Sequence, residues 1–235
     1  MLIFSLFFLI GGFGTANHAD LLEGLKVIVT SPAQLTCDYF ALAGMGSTYL
    51  NAGLVGLACI AVLLLSGFQM NHLSLMAFFL TTGFSFFGMN ILNIWPTVFG
   101  VMVYCLVKKE KFGANVNAML FSTGIAPLIT DLLIRYPHAE VIGFNLPGLG
   151  MALLVGFVIG FFLPAGLAHS PKVHKGFDLY SAALPIGMTA FLLNATLFNT
   201  MGIDVNALAT NGDMAVTNRS IVNIFCLVVF GLCVV

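Results

Sequence analysis

Apolar runs of membrane-crossing length occupy most of this chain, and few folds accommodate them. About 20 mostly apolar residues cross a bilayer core as one helix, because only internally hydrogen-bonded backbone is stable where there is no water. By that measure seven spans are predicted, at 1–16, 38–66, 73–89, 91–107, 114–134, 145–168 and 178–201, with an eighth over 221–235. Polar residues collect between them, near 69–72, 108–113, 135–144, 169–177 and 202–220. Charged residues make up only 7% of the chain, against about 25% in soluble domains. So little charge could not cover a water-exposed surface. The expected fold class is all-α, a polytopic transmembrane helix bundle of about seven or eight spans. It forms a single membrane domain over 1–235, with the lipid bilayer as its partner. The first run has the length of a signal-peptide core but lacks the basic residues that precede one, so it reads as a membrane helix. The last run stops at Val235 without a polar cap, which predicts a native chain that continues.

Charge placement orients the chain. Lys108, Lys109 and Lys111 share one connection, and Lys172 and Lys175 share another. Two predicted spans separate these connections, which puts both on one face, cytoplasmic by the positive-inside rule. The segments 17–37, 135–140 and 204–219 then fall outside. A net charge of −1 without any basic stripe excludes nucleic acid as a partner. Cys37, Cys59, Cys105, Cys226 and Cys233 form no CxxC pair and have no histidine at ligand spacing, so they read as small apolar fillers. No metal or cofactor is expected.

Two stretches are alike in register, 44–54 (GMGSTYLNAGL) and 187–197 (GMTAFLLNATL). Ser31-Pro32 precedes one and Ser170-Pro171 the other, while Asp38 and Asp178 open the following helices. With the spans counted above, the two copies cross in opposite directions. That is an inverted repeat, a common transporter plan, with candidate halves 31–110 and 170–235.

Asn51 and Asn194 occupy matching positions of the repeat. A primary amide in an apolar run must find partners, because hydrocarbon offers none. One reading has both amides lining a path for a small polar solute; the other has them tying helices together. Gly44, Gly46, Gly53 and Gly56 around Asn51 fit either a broken helix with an unwound centre or close helix packing. The stretch from Asn90 to Pro96 reads as a tight extracellular turn with Trp95 at the interface. It reads alternatively as a pore mouth formed by Asn90 and Asn93, continued by Thr81 and Thr82. Asp131 pairs with Arg135 four residues on, or serves as an intramembrane carboxylate. His138, His169 and His174 fall at span edges. No enzyme is expected. Ser47 and His169 do not make an intramembrane protease pair, and neither HExxH, a P-loop nor a Rossmann glycine pattern occurs.

The run Tyr49-Leu50-Asn51-Ala52-Gly53-Leu54, then 87–96 (FGMNILNIWP), then the lysine-rich connection, resembles a family of bacterial polytopic membrane proteins known as a domain of unknown function. The resemblance implies a bacterial plasma-membrane location and supplies neither a substrate nor site residues. Asn51-Ala52-Gly53-Leu54-Val55-Gly56 is also similar to an Asn-Gly-x-Leu-Val-Gly-like element of urea transporters, with Ala52 in place of the glycine. The expected function is transport of a small polar solute, passive or secondary, along Asn51, Asn194, Asn90 and Asn93. The rival is a structural or scaffolding membrane protein. A pseudo-symmetric bundle is also compatible with a homo-oligomer.

Overall fold

The computed structural model describes residues 1–15, 18–32, 37–67, 70–177, 181–202 and 219–234, and everything regular in them is helical. In chain order the helices are α1 (Leu2–Thr15), α2 (His18–Thr30), α3 (Tyr39–Leu65), α4 (His72–Phe84) and α5 (Trp95–Lys108). There follow α6 (Val116–Ser122), α7 (Ala126–Arg135), α8 (Leu146–His174), α9 (Ala183–Leu193) and α10 (Arg219–Val234). A 3-10 turn, Thr123–Ile125, joins α6 to α7, and a π turn, Asn194–Phe198, extends α9. Asp178 and the segment 203–218, predicted as a helix start and an outer connection, lie outside the described residues.

Among the described residues, three helical segments are long and apolar enough to cross a membrane: Tyr39–Leu65, Phe112–Arg135 and Leu146–His174. A fourth results if α1 and α2, which bend by 120° at their junction, count as one broken span. The chain is thus a membrane-embedded helical bundle. The other apolar helices are short. At 1.5 Å per residue, the 13 residues of α4 reach about 20 Å, well under the ~30 Å of a bilayer core. The spans predicted at 73–89 and 91–107 correspond to two short helices, α4 and α5, joined by a ten-residue non-helical segment, 85–94.

Packing fixes how these helices run. Gly56 of α3 lies against Phe78, and Asn51 reaches Ser85, so α4 runs antiparallel to α3. On α5, Pro96 lies against Gly156 and Tyr104 against Phe161, so α5 runs parallel to α8. Leu133 meets Gly148 and Ile129 meets Gly156, which sets α7 antiparallel to α8. Pro185 against Gly166 starts α9 in the reverse direction to α8. α4 and α5 therefore form a hairpin that leaves and returns to one end of the bundle. Lys108 at the end of α5 and Lys172 near the end of α8 share that end.

Local chemistry explains the element boundaries. Asn71 and Ser74 form a reciprocal capping box at the start of α4. Asp38 caps α3 through the Phe40 N–H at 2.8 Å, and Asn145 caps α8 through the Gly148 N–H at 2.6 Å. Pro96 and Pro127 sit in the first turns of α5 and α7, where no intrahelical N–H is needed. α3 does not unwind at its centre, which is one of the two arrangements its glycines allow. Its single non-helical residue is Gly44, at φ 77° and ψ 171°, near the start. The glycines further along serve close packing instead. A Cβ on Gly53 would stand 2.6 Å from Leu9 Cγ, and one on Gly12 would stand 2.9 Å from the Gly46 carbonyl. α2 falls in the segment expected to be an outer connection. It is an amphipathic helix that buries Leu21 and Ile28 against α3 and keeps Glu23 and Lys26 exposed, 3.5 Å apart.

The α5–α8 contact is the tightest, because Cβ atoms on Gly100 and Gly160 would overlap the carbonyls of Phe157 and Thr97. Gly160→Val is therefore expected to destabilise the protein by roughly 1–3 kcal/mol, the usual penalty of overpacking. Thermal unfolding in detergent checks this, with Gly150→Val, which meets open space, as the unaffected control.

Candidate functional site

The connection 85–94 is largely buried, although Phe87 and Leu92 are exposed. Ser85, Met89, Asn90, Asn93 and Ile94 are all buried, with exposures between 0% and 6%. The N–H groups of Ser85, Phe86, Phe87 and Met89 turn back to carbonyls of the last turn of α4, and side chains supply partners for carbonyls and N–H groups further along. Asn51, fully buried near the middle of α3, does so from outside the hairpin. Its Nδ2 donates to the Ser85 carbonyl at 2.8 Å and to the Met89 carbonyl at 3.0 Å. Its Oδ1 accepts the Ile91 N–H at 3.2 Å.

Asn90 and Asn93 complete the connection from within. Asn90 Oδ1 accepts the N–H groups of Leu92 and Asn93, each at 3.0 Å. Asn93 Oδ1 accepts the Asn90 N–H at 2.8 Å. Asn93 Nδ2 donates to the Gly88 carbonyl at 2.9 Å and to Thr130 Oγ1 on α7 at 2.8 Å. The start of α3 closes over the same segment, with the Tyr39 N–H donating to the Phe86 carbonyl at 3.1 Å and the Phe40 ring stacked on Phe86. Asp131, next to Thr130 on α7, and Arg135, one turn further on, are buried, and their Oδ1 and Nε stand 3.9 Å apart. The pairing expected from the i,i+4 spacing is present, at a distance longer than a charge-assisted hydrogen bond.

Of the four predicted path residues, the fold brings Asn51, Asn90 and Asn93 together. Asn194 stands apart, exposed in the π turn that extends α9. The amides that do meet are largely spent on backbone groups. Space for a small molecule lies beside them instead.

A cavity of about 290 Å³ opens between α4, the α6–α7 junction and α9. Thr81, Phe84, Met89, Phe121, Thr123 and Gly187 are among its walls. Met89 thus joins the cavity to the connection, since its carbonyl accepts from Asn51. Thr81 Oγ1 is held only loosely, 3.4 Å from Thr123 Oγ1 and 3.5 Å from the Leu120 carbonyl. A second cavity, of about 360 Å³, lies toward the lysine-bearing end and has Asn115, Asn117, Phe121 and Ser181 among its walls. Phe121 belongs to both cavities. The sequence points to Thr81 only as a continuation of a pore lining. It does not point to Thr123 or Asn117, whose one signal is a polar side chain inside an apolar run. Among the described residues no group of three His, Cys, Asp or Glu side chains is placed to hold a metal.

A broken helical hairpin tied down by buried amides, inside an apolar bundle, defines the chain as a polytopic helical membrane protein. It belongs to the family DUF1576, proteins of unknown function, whose match covers residues 17–200. No curated protein and no solved structure matches the chain. The similarity to urea transporters expected from residues 51–56 is not shown by these comparisons.

Removing the Asn51 amide would strand two carbonyls and one N–H in a buried place, each costing about 1–3 kcal/mol. Asn51→Ala should therefore lower the unfolding temperature sharply. Asn194→Ala, at an exposed position, should stay within about 0.5 kcal/mol of the parent. A shared thermal-unfolding assay in detergent compares them. Cys37 offers a separate check. Burial, together with the nearby Asp38 and Asp131 carboxylates, pushes its thiol up to about 11. Because the thiolate is the reactive form, its alkylation, followed by mass spectrometry, should be slow at neutral pH and climb until about pH 11.

Proposed function

We propose that this protein is a transporter or channel for a small polar solute in the bacterial plasma membrane. The observation that supports it best is non-helical backbone, 85–94, largely buried in an apolar bundle beside a cavity of about 290 Å³. Irregular backbone at membrane depth is tolerated where it is enclosed by protein or lines a cavity, and broken helices mark solute sites in transporters. In this reading the amides of Asn51, Asn90 and Asn93 shape the site, while Thr81 and Thr123 face the solute. Asn194 would meet the solute only on a path along α9.

The topology proposed with it keeps an inverted repeat of halves 31–110 and 170–235. α4 and α5 enter and leave on one face, so they change sides as little as two full spans would. The repeat copies on α3 and α9 keep opposite directions on either count. The lysine-bearing end is the cytoplasmic one. The apolar outer side of α8, with Leu154 and Phe162 exposed, is available to lipid or to a second copy in a homo-oligomer.

A second reading has a specific observation in its favour. Every hydrogen-bonding atom of the Asn51 amide is used by backbone, as a purely structural role requires. Flux in proteoliposomes separates the two. Urea and glycerol should enter faster than amino acids or simple ions, measured against empty liposomes. Absence of flux above empty liposomes, from protein shown to be folded, would leave the structural reading.

A further inference from the structure

The two cavities share Phe121, and neither has a charged side chain among its described walls. We infer that they are two stations of one passage entered from the lysine-bearing end, that Phe121 is the constriction between them, and that the passage takes a small uncharged molecule carrying O–H or N–H groups. The inference rests on the transport reading and narrows its solute.

The outer station, nearer the lysines, is the polar one. Asn117 Oδ1 is buried there without a hydrogen-bond partner, which makes it an acceptor for a donor that the solute brings. Asn115 and Ser181 lie on the same wall, and Ser181 Oγ is within 2.9 Å of His174 Nε2. The inner station is apolar apart from Thr81 and Thr123. Two hydroxyls cannot replace the hydration shell of an ion or a zwitterion, whose transfer into such surroundings is far costlier than that of a neutral hydroxyl or amide. A neutral molecule would pass from the carbonyl of Asn117 to the loosely held hydroxyl of Thr81. To do so it must get past the Phe121 ring, which is 6% exposed.

Substituted-cysteine accessibility tests the passage directly and needs no solute. The full chain, with its five native cysteines replaced, carries a single Asn117→Cys or Thr81→Cys. A membrane-impermeant sulfonated thiol reagent is applied to vesicles of each orientation. Asn117→Cys should react from the lysine-bearing side, and Thr81→Cys should be protected. Adding Phe121→Ala should raise the rate at Thr81→Cys by about tenfold or more, equivalent to removing roughly 1.4 kcal/mol of barrier. Phe121→Leu, a milder truncation, should give an intermediate rate should the alanine variant fail to fold. An unreactive Asn117→Cys, or a Thr81→Cys rate indifferent to residue 121, overturns the constriction.

Flux tests the solute class separately. Phe121→Ala should increase glycerol entry into proteoliposomes while sodium and glycine stay at the level of empty liposomes. Sodium or glycine crossing as fast as glycerol overturns the class. The expected labelling without any glycerol flux overturns the transport reading and leaves the constriction standing.

Discussion

The grip of the Asn51 amide on the 85–94 backbone is the interaction on which the bundle's centre depends. A helix satisfies its own N–H and C=O groups, so most of this chain needs no outside help in an apolar medium. The ten residues between α4 and α5 do need it. Most of them are buried, and an unmade hydrogen bond there costs its full desolvation penalty. One primary amide carries two donors and an acceptor with two lone pairs, which suits a place where two carbonyls and an N–H converge. Asn90 and Asn93 extend the same solution inward, and the bond from Asn93 to Thr130 fastens the connection to α7. Once the hairpin is held in this way, α5 is positioned to pack along α8.

That packing obeys a different constraint. Lipid tails are as apolar as leucine, so helices in a membrane gain little by hiding apolar surface from them. Close approach of backbones does the work instead, and it needs small residues at the contact. Gly100 and Gly160 allow α5 and α8 to meet carbonyl against Cα. Gly12 and Gly53 do the same for α1 and α3. The richness in glycine, 25 residues in all, thus has a mechanical reason at these crossings, quite apart from turns.

Polar side chains in the bundle divide into two groups by what surrounds them. Those bonded to backbone, led by Asn51, hold the irregular segment. Thr81, loosely held, and Asn117, whose Oδ1 has no partner, line the two cavities. In the transport reading proposed above, the amides of the connection shape the site and the polar groups facing the cavities are the ones available to a solute. All three residues of the 3-10 turn Thr123–Ile125 line the cavity beside α4.

The helical membrane class, the approximate places of most helices and the Asp131–Arg135 pairing were legible in the sequence, because hydropathy, charge placement and i,i+4 spacing are local properties. The importance of Asn51 was legible too, since an amide in an apolar run must bond to something. What it bonds to was not, because Ser85, Met89 and Ile91 lie 34 to 40 residues away and offer only backbone groups, which every residue possesses. For the same reason the sequence did not show that most of the 85–94 connection is buried, or that 18–30, within the segment placed outside, forms an amphipathic helix. Asn51 and Asn194 looked equivalent in sequence. Tertiary structure separated them, because burial is decided by which neighbours arrive, and only Asn51 has a broken backbone packed against it.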